Sequence, residues 1–105
     1  MEFQDLIRRA AQIRGQYREY EQARTGQSWS NEELALGFVG DVGDLAKLVM
    51  AVNGRRHIPD AREKLEHELA DCLWSVIVLA EAHGVDLERA FLETMDGLEA
   101  HLKKI

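Results

Sequence analysis

The run "CLWSVIVLA", Cys72 to Ala80, limits what this chain can become more than any other feature. Read as a helix, it is apolar around almost its whole circumference, and such a helix has to be covered on every side. The run is far too short to span a bilayer, which takes about 20 residues. The cover must therefore be protein. With 105 residues the chain has room for a single domain, residues 1–105, and a handful of helices. Three partner helices do not enclose such a segment, so the expected state is a homodimer or a larger assembly with this helix near the interface.

The rest of the chain reads as helices of the same kind. Only one proline occurs, and strand-like alternation never runs for long. Leu6, Ile7, Ala10, Ile13, Tyr17 and Tyr20 recur at helical spacing in a first helix from about Phe3 to Arg24, ended by "RTGQS". Ser30 with Glu33 has the pattern of a capping box, which opens a second helix running to about Val52. Asn53-Gly54 stops it. After the loop "NGRRHIPD", Pro59 and Asp60 suit the first turn of a third helix, which runs to His83 and is closed by Gly84. Asp86 caps a fourth, with Leu87, Ala90, Phe91, Met95, Leu98 and Leu102 facing inward. Short loops between long helices make neighbours antiparallel. The fold class is all-α, an antiparallel four-helix bundle.

Charge narrows the function. The net charge is -6 with no dense basic run, which argues against nucleic acid as a partner. The start, "MEFQDLIRRA", is charged from its second residue and has no apolar signal core. The lone Cys72 cannot form an internal disulfide, so the expected home is the reducing cytoplasm, with no membrane partner. Cys72 reads as buried packing, because the carboxylate of Asp71 beside it disfavours a thiolate.

The chemistry concentrates in two acidic pairs. In "FVGDVGDLAKLV", Asp41 and Asp44 share a helix face, and Glu68 and Asp71 have the same spacing in "HELADCLW". Both pairs have apolar neighbours: Val39, Val42 and Leu45 around the first, Leu65, Leu69 and Leu73 around the second. If the second and third helices pack antiparallel, all four carboxylates can face one another. Like charges gathered in this way raise one another's pKa or take up cations, and a hard divalent ion, Mg²⁺ or Mn²⁺, prefers carboxylate oxygens. The plainer alternative is two solvated acidic faces. Gly40 and Gly43, each costing roughly 1 kcal/mol in a helix interior, would leave room for a neighbouring helix or for a bulky anionic ligand on the metals. Asp71 stands where a zinc-protease motif would need its second His, and no di-iron bundle signature or Walker-type loop is present.

These residues carry a family resemblance. "LALGFVGDVGDLAKL", followed by "LEHELADCLWSVIVLAEAHGVDLERA", resembles the MazG-type all-α nucleoside triphosphate pyrophosphohydrolases, within them the short dCTP-pyrophosphatase-like branch. The likeness covers about Leu34 to Met95. It implies a MazG-like bundle assembling as a homodimer or homotetramer. It also implies cleavage of a nucleoside triphosphate between the α and β phosphates, with Mg²⁺ held by Asp41, Asp44, Glu68 and Asp71. Both aspartates of the second helix stand where the branch usually has glutamates. The family's fourth helix usually carries Lys, Asn and Arg for the phosphates. Here "TMDGLEA" keeps Met95 and Asp96 but has Thr94, Leu98 and Glu99 in place of the expected polar or cationic groups. Lys47, Arg55 and Arg56 are candidates to compensate, or else a solvated helix face and loop tip. Trp29 either stacks on a nucleobase or covers the bundle end, whereas Trp74 reads as core or dimer interface. The reading is a metal-dependent pyrophosphohydrolase of the nucleotide pool, with Glu68 as the proton acceptor. The alternative is a regulatory protein that binds nucleotide or metal with little turnover.

Overall fold

In the computed structural model, which describes residues 1–105, helix boundaries follow from local chemistry. The chain forms α1 (Phe3–Thr25), α2 (Asn31–Val52), α3 (Ala61–Ala82) and α4 (Leu87–Lys103) and no strand, an all-α four-helix architecture. Gly26 ends α1 in the left-handed region at φ 79°, where a residue without Cβ is unstrained. Ser30 opens α2 with the expected reciprocal box: its hydroxyl accepts from the Glu33 N–H at 3.1 Å, and the Glu33 carboxylate accepts from the Ser30 N–H at 2.9 Å. Asp86 caps α4 by accepting from the Arg89 N–H at 3.1 Å. The start of α3 differs from expectation. Pro59 and Asp60 form a turn ahead of the helix, and Asp60 sits at φ 55° without a side-chain cap. Aspartate tolerates that left-handed conformation better than most residues. No helix is long and apolar enough to cross a membrane.

The helices α2 and α3 make the most extensive contact, and α1 rests more sparsely on α3. Their antiparallel sense is fixed by register: Asp41 approaches Glu68, while Leu48, further along α2, meets Glu63 and Lys64 near the start of α3. Ile7, Ala10 and Ile77 form the core between α1 and α3, with Phe3, Trp74 and Leu87 packed against it. The Trp74 indole N–H donates to the Ala10 carbonyl at 3.2 Å, and its ring tilts against Tyr17 at 5.8 Å. Trp74 is therefore an inter-helix packing residue, one of its two expected roles.

The fourth helix departs from its expected packing. Only its first turn is anchored, by Leu87 and by a 3.0 Å hydrogen bond from Gln4 to Glu88. Beyond that point Phe91 (58 % exposed), Met95, Leu98 and Leu102 face away from their own chain. Leu69, Leu73 and Val76 of α3 are exposed as well. The radius of gyration, 16.7 Å, exceeds the roughly 13 Å of a compact domain of this size. The single chain is an open array, and the apolar segment of α3, packed by α1 and α2, is left open at Leu73 and Val76.

A polar residue within the α1 stripe was not anticipated. Arg14 is 6 % exposed and pairs with Glu21, Nη1 to Oε2, at 2.9 Å. The pair grips the loop before α2: the Arg14 guanidinium donates to the Trp29 carbonyl at 3.3 Å, and Glu21 Oε1 accepts from the Trp29 N–H at 2.9 Å. These bonds hold the Glu21 carboxyl below its usual range, with the hydrogen bond from Arg14 as the largest cause. Because the folded value lies below the unfolded one, the stabilisation is full above the ordinary glutamate range and is lost as pH falls through the lowered value. We expect Glu21→Ala to cost roughly 3 kcal/mol in urea unfolding, by leaving a buried guanidinium unpaired. Followed by tryptophan fluorescence, Glu21→Gln should lose less stability on acidification than the parent.

Candidate metal centre

Asp41 and Asp44 lie one turn apart on α2, and the antiparallel register carries Glu68 of α3 opposite them. One ligand atom from each of the three falls within 4.8 Å of the other two. Asp44 is exposed, while Asp41 and Glu68 are half-buried. The cluster therefore sits on the open side of the α2–α3 seam rather than sealed among apolar side chains. Val39 and Val42, expected to line it, are themselves exposed.

Glu68 is the residue under stress. Its Oε1 is buried and has no hydrogen-bond partner. Its carboxyl is pushed above the usual range, first by burial and then by the charges of Asp41, Asp71 and Asp44, with His67 opposing. A buried acceptor with no donor, facing two further carboxylates, calls for positive charge. Oxygen-only donors at this spacing suit a hard divalent cation rather than a soft metal. The residues fit the ion that the sequence suggested.

Asp71 stands outside the trio. Its carboxylate is 48 % exposed and lies 3.3 Å from His67 Nε2, although its charge still acts on Glu68. Cys72 is buried, and its thiol is pushed up by burial and then by the charge of Glu68, in keeping with a packing role. The two glycines of the opening motif lose one of their readings. A Cβ at Gly40 or Gly43 would meet open space, so no neighbouring helix of the chain requires them. The close approach occurs at Gly37, where a Cβ would lie 3.3 Å from Trp29 Cζ3.

The remaining candidates divide. Lys47 lines a cavity of about 410 Å³ that opens beside Asp44 and Glu68. Trp29, half exposed, lies over Gly37, one helical turn before Asp41. Arg55 and Arg56 are exposed in the α2–α3 loop, which reaches the cavity through Ile58 instead. Asp96 is exposed on α4 and lines no part of that cavity. The residues missed at the sequence level are Arg14 and Glu21, which hold the Trp29 backbone. An arginine on an apolar helix stripe was their only trace.

Fold and site together define an all-α protein with an acidic cluster, able in its geometry to hold a metal ion, between two antiparallel helices. Comparison with family models makes this specific: residues 29–104 match the MazG nucleotide pyrophosphohydrolase domain, and the chain belongs to that family. No curated protein and no solved structure matches the chain.

Glu68→Gln tests the charge balance. Without divalent ions we expect it to stabilise the fold by about 1 kcal/mol, since it removes a buried unpaired charge. With Mg²⁺ or Mn²⁺ present the order should reverse, because only the parent gains stability by binding the ion. Thermal unfolding in chelator and in each ion reads both halves.

Proposed function

We propose that this protein is a Mg²⁺-dependent nucleoside triphosphate pyrophosphohydrolase, with Mn²⁺ as an acceptable substitute, that clears surplus or noncanonical nucleotides. The observation that carries the reading is the Asp41–Asp44–Glu68 trio with its orphaned Glu68 oxygen, set in a chain of this family. Asp41, Asp44 and Glu68 would hold the ion, and Asp71, one turn further along α3, would complete the set. When bound, the ion neutralises phosphate oxygens and lowers the pKa of a coordinated water. The chain's own work is to orient and to accept a proton. Glu68 takes the proton of the water whose oxygen bonds to one phosphorus of the α–β bridge. The bridging P–O bond breaks, and nucleoside monophosphate and pyrophosphate leave. Trp29 offers a stacking face for the base. Lys47 supplies positive charge at the phosphates, and Arg55 and Arg56 lie in the loop beside them. The setting is cytoplasmic, and neither nucleic acid nor a membrane is a partner.

Assembly belongs to the same reading. The uncovered apolar side chains of α4 and of Leu69, Leu73 and Val76 are the kind of surface that a homodimer or homotetramer buries. In such an assembly Asp96 can serve the site of a second copy. A second reading, a nucleotide- or metal-binding protein with little turnover, draws on α4. There Leu98 and Glu99 offer no cation, and the Thr94 hydroxyl is engaged with the Ala90 carbonyl at 2.7 Å.

Pyrophosphate release across a nucleotide panel separates the two. The parent should turn over at least one triphosphate with Mg²⁺, and Asp44→Asn should lower that rate by about 100-fold or more, as loss of a metal ligand does. Tight binding of a non-hydrolysable analogue without turnover of any nucleotide would favour the second reading. In sedimentation the parent should run as a dimer or tetramer, and the pair Phe91→Glu with Leu98→Glu should run as a monomer.

A further inference from the structure

The cavity beside the carboxylates is not uniformly acidic. Asp44, Glu63 and Glu68 line it together with two lysines from the two packed helices, Lys47 of α2 and Lys64 of α3. His67 lies one turn or less from both Lys64 and Glu68 and lines the same space. The chain carries 19 acidic against 13 basic residues, so an ammonium group does not lack for partners. Yet neither Lys47 nor Lys64 enters any of the ion pairs, which join Arg8, Arg14, His67, Arg89 and Lys103 to carboxylates. Two lysines without an ion-pair partner thus line an open cavity of about 410 Å³ next to a buried carboxylate oxygen with no donor. Fixed negative charge and free positive charge side by side fit a ligand that carries both a cation and excess negative charge. A metal-complexed polyphosphate has that character.

The order of groups along α2 gives the ligand a direction. Gly37, Asp41, Asp44 and Leu48 fall on one face at helical spacing. Trp29 covers Gly37 at the N-terminal end, the carboxylates occupy the middle, and the two-lysine cavity lies at the C-terminal end. From Gly37 to Lys47 the helix rises about 15 Å, comparable with an extended nucleoside triphosphate.

We propose that Lys47 and Lys64 form a cross-helix clamp for the β and γ phosphates, the part that leaves as pyrophosphate, so that the substrate lies along α2 with its base at Trp29. The clamp stands in for the cations that α4 does not supply. It rests on the pyrophosphohydrolase reading and adds to it the polarity of the bound substrate and a residue, Lys64, with no role until now.

The test uses full-length protein and two probes with Mg²⁺: inorganic pyrophosphate, and the nucleoside monophosphate of whichever triphosphate is turned over. Calorimetry should show pyrophosphate binding weakened about tenfold by Lys64→Gln and again by Lys47→Gln, the loss of one charge-assisted hydrogen bond each. Monophosphate binding should stay within about twofold of the parent by the same affinity scale. Lys64→Arg should restore most of the pyrophosphate affinity. The metal-dependent rise in melting temperature should be intact in all variants, which shows them folded and loaded. Unchanged pyrophosphate affinity in the double variant, or equal losses for both probes, would overturn the clamp while leaving hydrolysis by the parent untouched. A parent that neither binds pyrophosphate nor releases it from any nucleotide would overturn the functional reading along with the clamp.

Discussion

Mutual repulsion among Asp41, Asp44 and Glu68 sets the terms for the rest of this molecule. The three carboxylates meet where α2 and α3 pack, along the most extensive contact in the fold. Water can solvate Asp44, but it does not reach Glu68 Oε1. Apolar contacts at Leu48, Cys72 and their neighbours hold the helices together against that charge. The same gathering of charge that opposes packing is what could hold a cation there.

The openness of the chain has a similar logic. Two helices cannot both present carboxylates to solvent-borne ligands and be wrapped on all sides. Here α1 covers one flank of α3, and α4 leaves the body after its first turn. The apolar stripe of α4 is therefore turned away from its own chain. That arrangement leaves the carboxylate side open and the apolar side chains of α4 exposed on the single chain.

Much of this was legible in the residues, and the parts that were not share a physical character. The Ser30–Glu33 box and the Asp86 cap follow from local hydrogen bonding and stood where expected. The acidic pairs were visible from spacing, and antiparallel packing brought three of their four members together. Asp71 fell outside because its neighbour one turn back, His67, engages it, a competition that spacing alone does not rank. Arg14 was missed because it joins Glu21, two turns further along α1, to the Trp29 backbone, in a loop whose path no periodicity records. The inward assignment of Phe91, Leu98 and Leu102 failed, because an apolar stripe does not say whose surface it meets. Gly40 and Gly43 were credited with a close approach that belongs to Gly37, because the side chain that approaches comes from a loop.

The grip of Arg14 and Glu21 on Trp29 reaches across a boundary. The family segment begins at residue 29, whereas both gripping side chains belong to α1, which precedes it. Whatever stands at the Trp29 end of the carboxylate row is thus moored to a helix that lies outside the matched family segment. Divergence in α1 can shift the aromatic ring while every carboxylate stays where it is. In the proposed reading, where the base rests on Trp29, a change in α1 is a change in base selection made by a helix that holds none of the carboxylates.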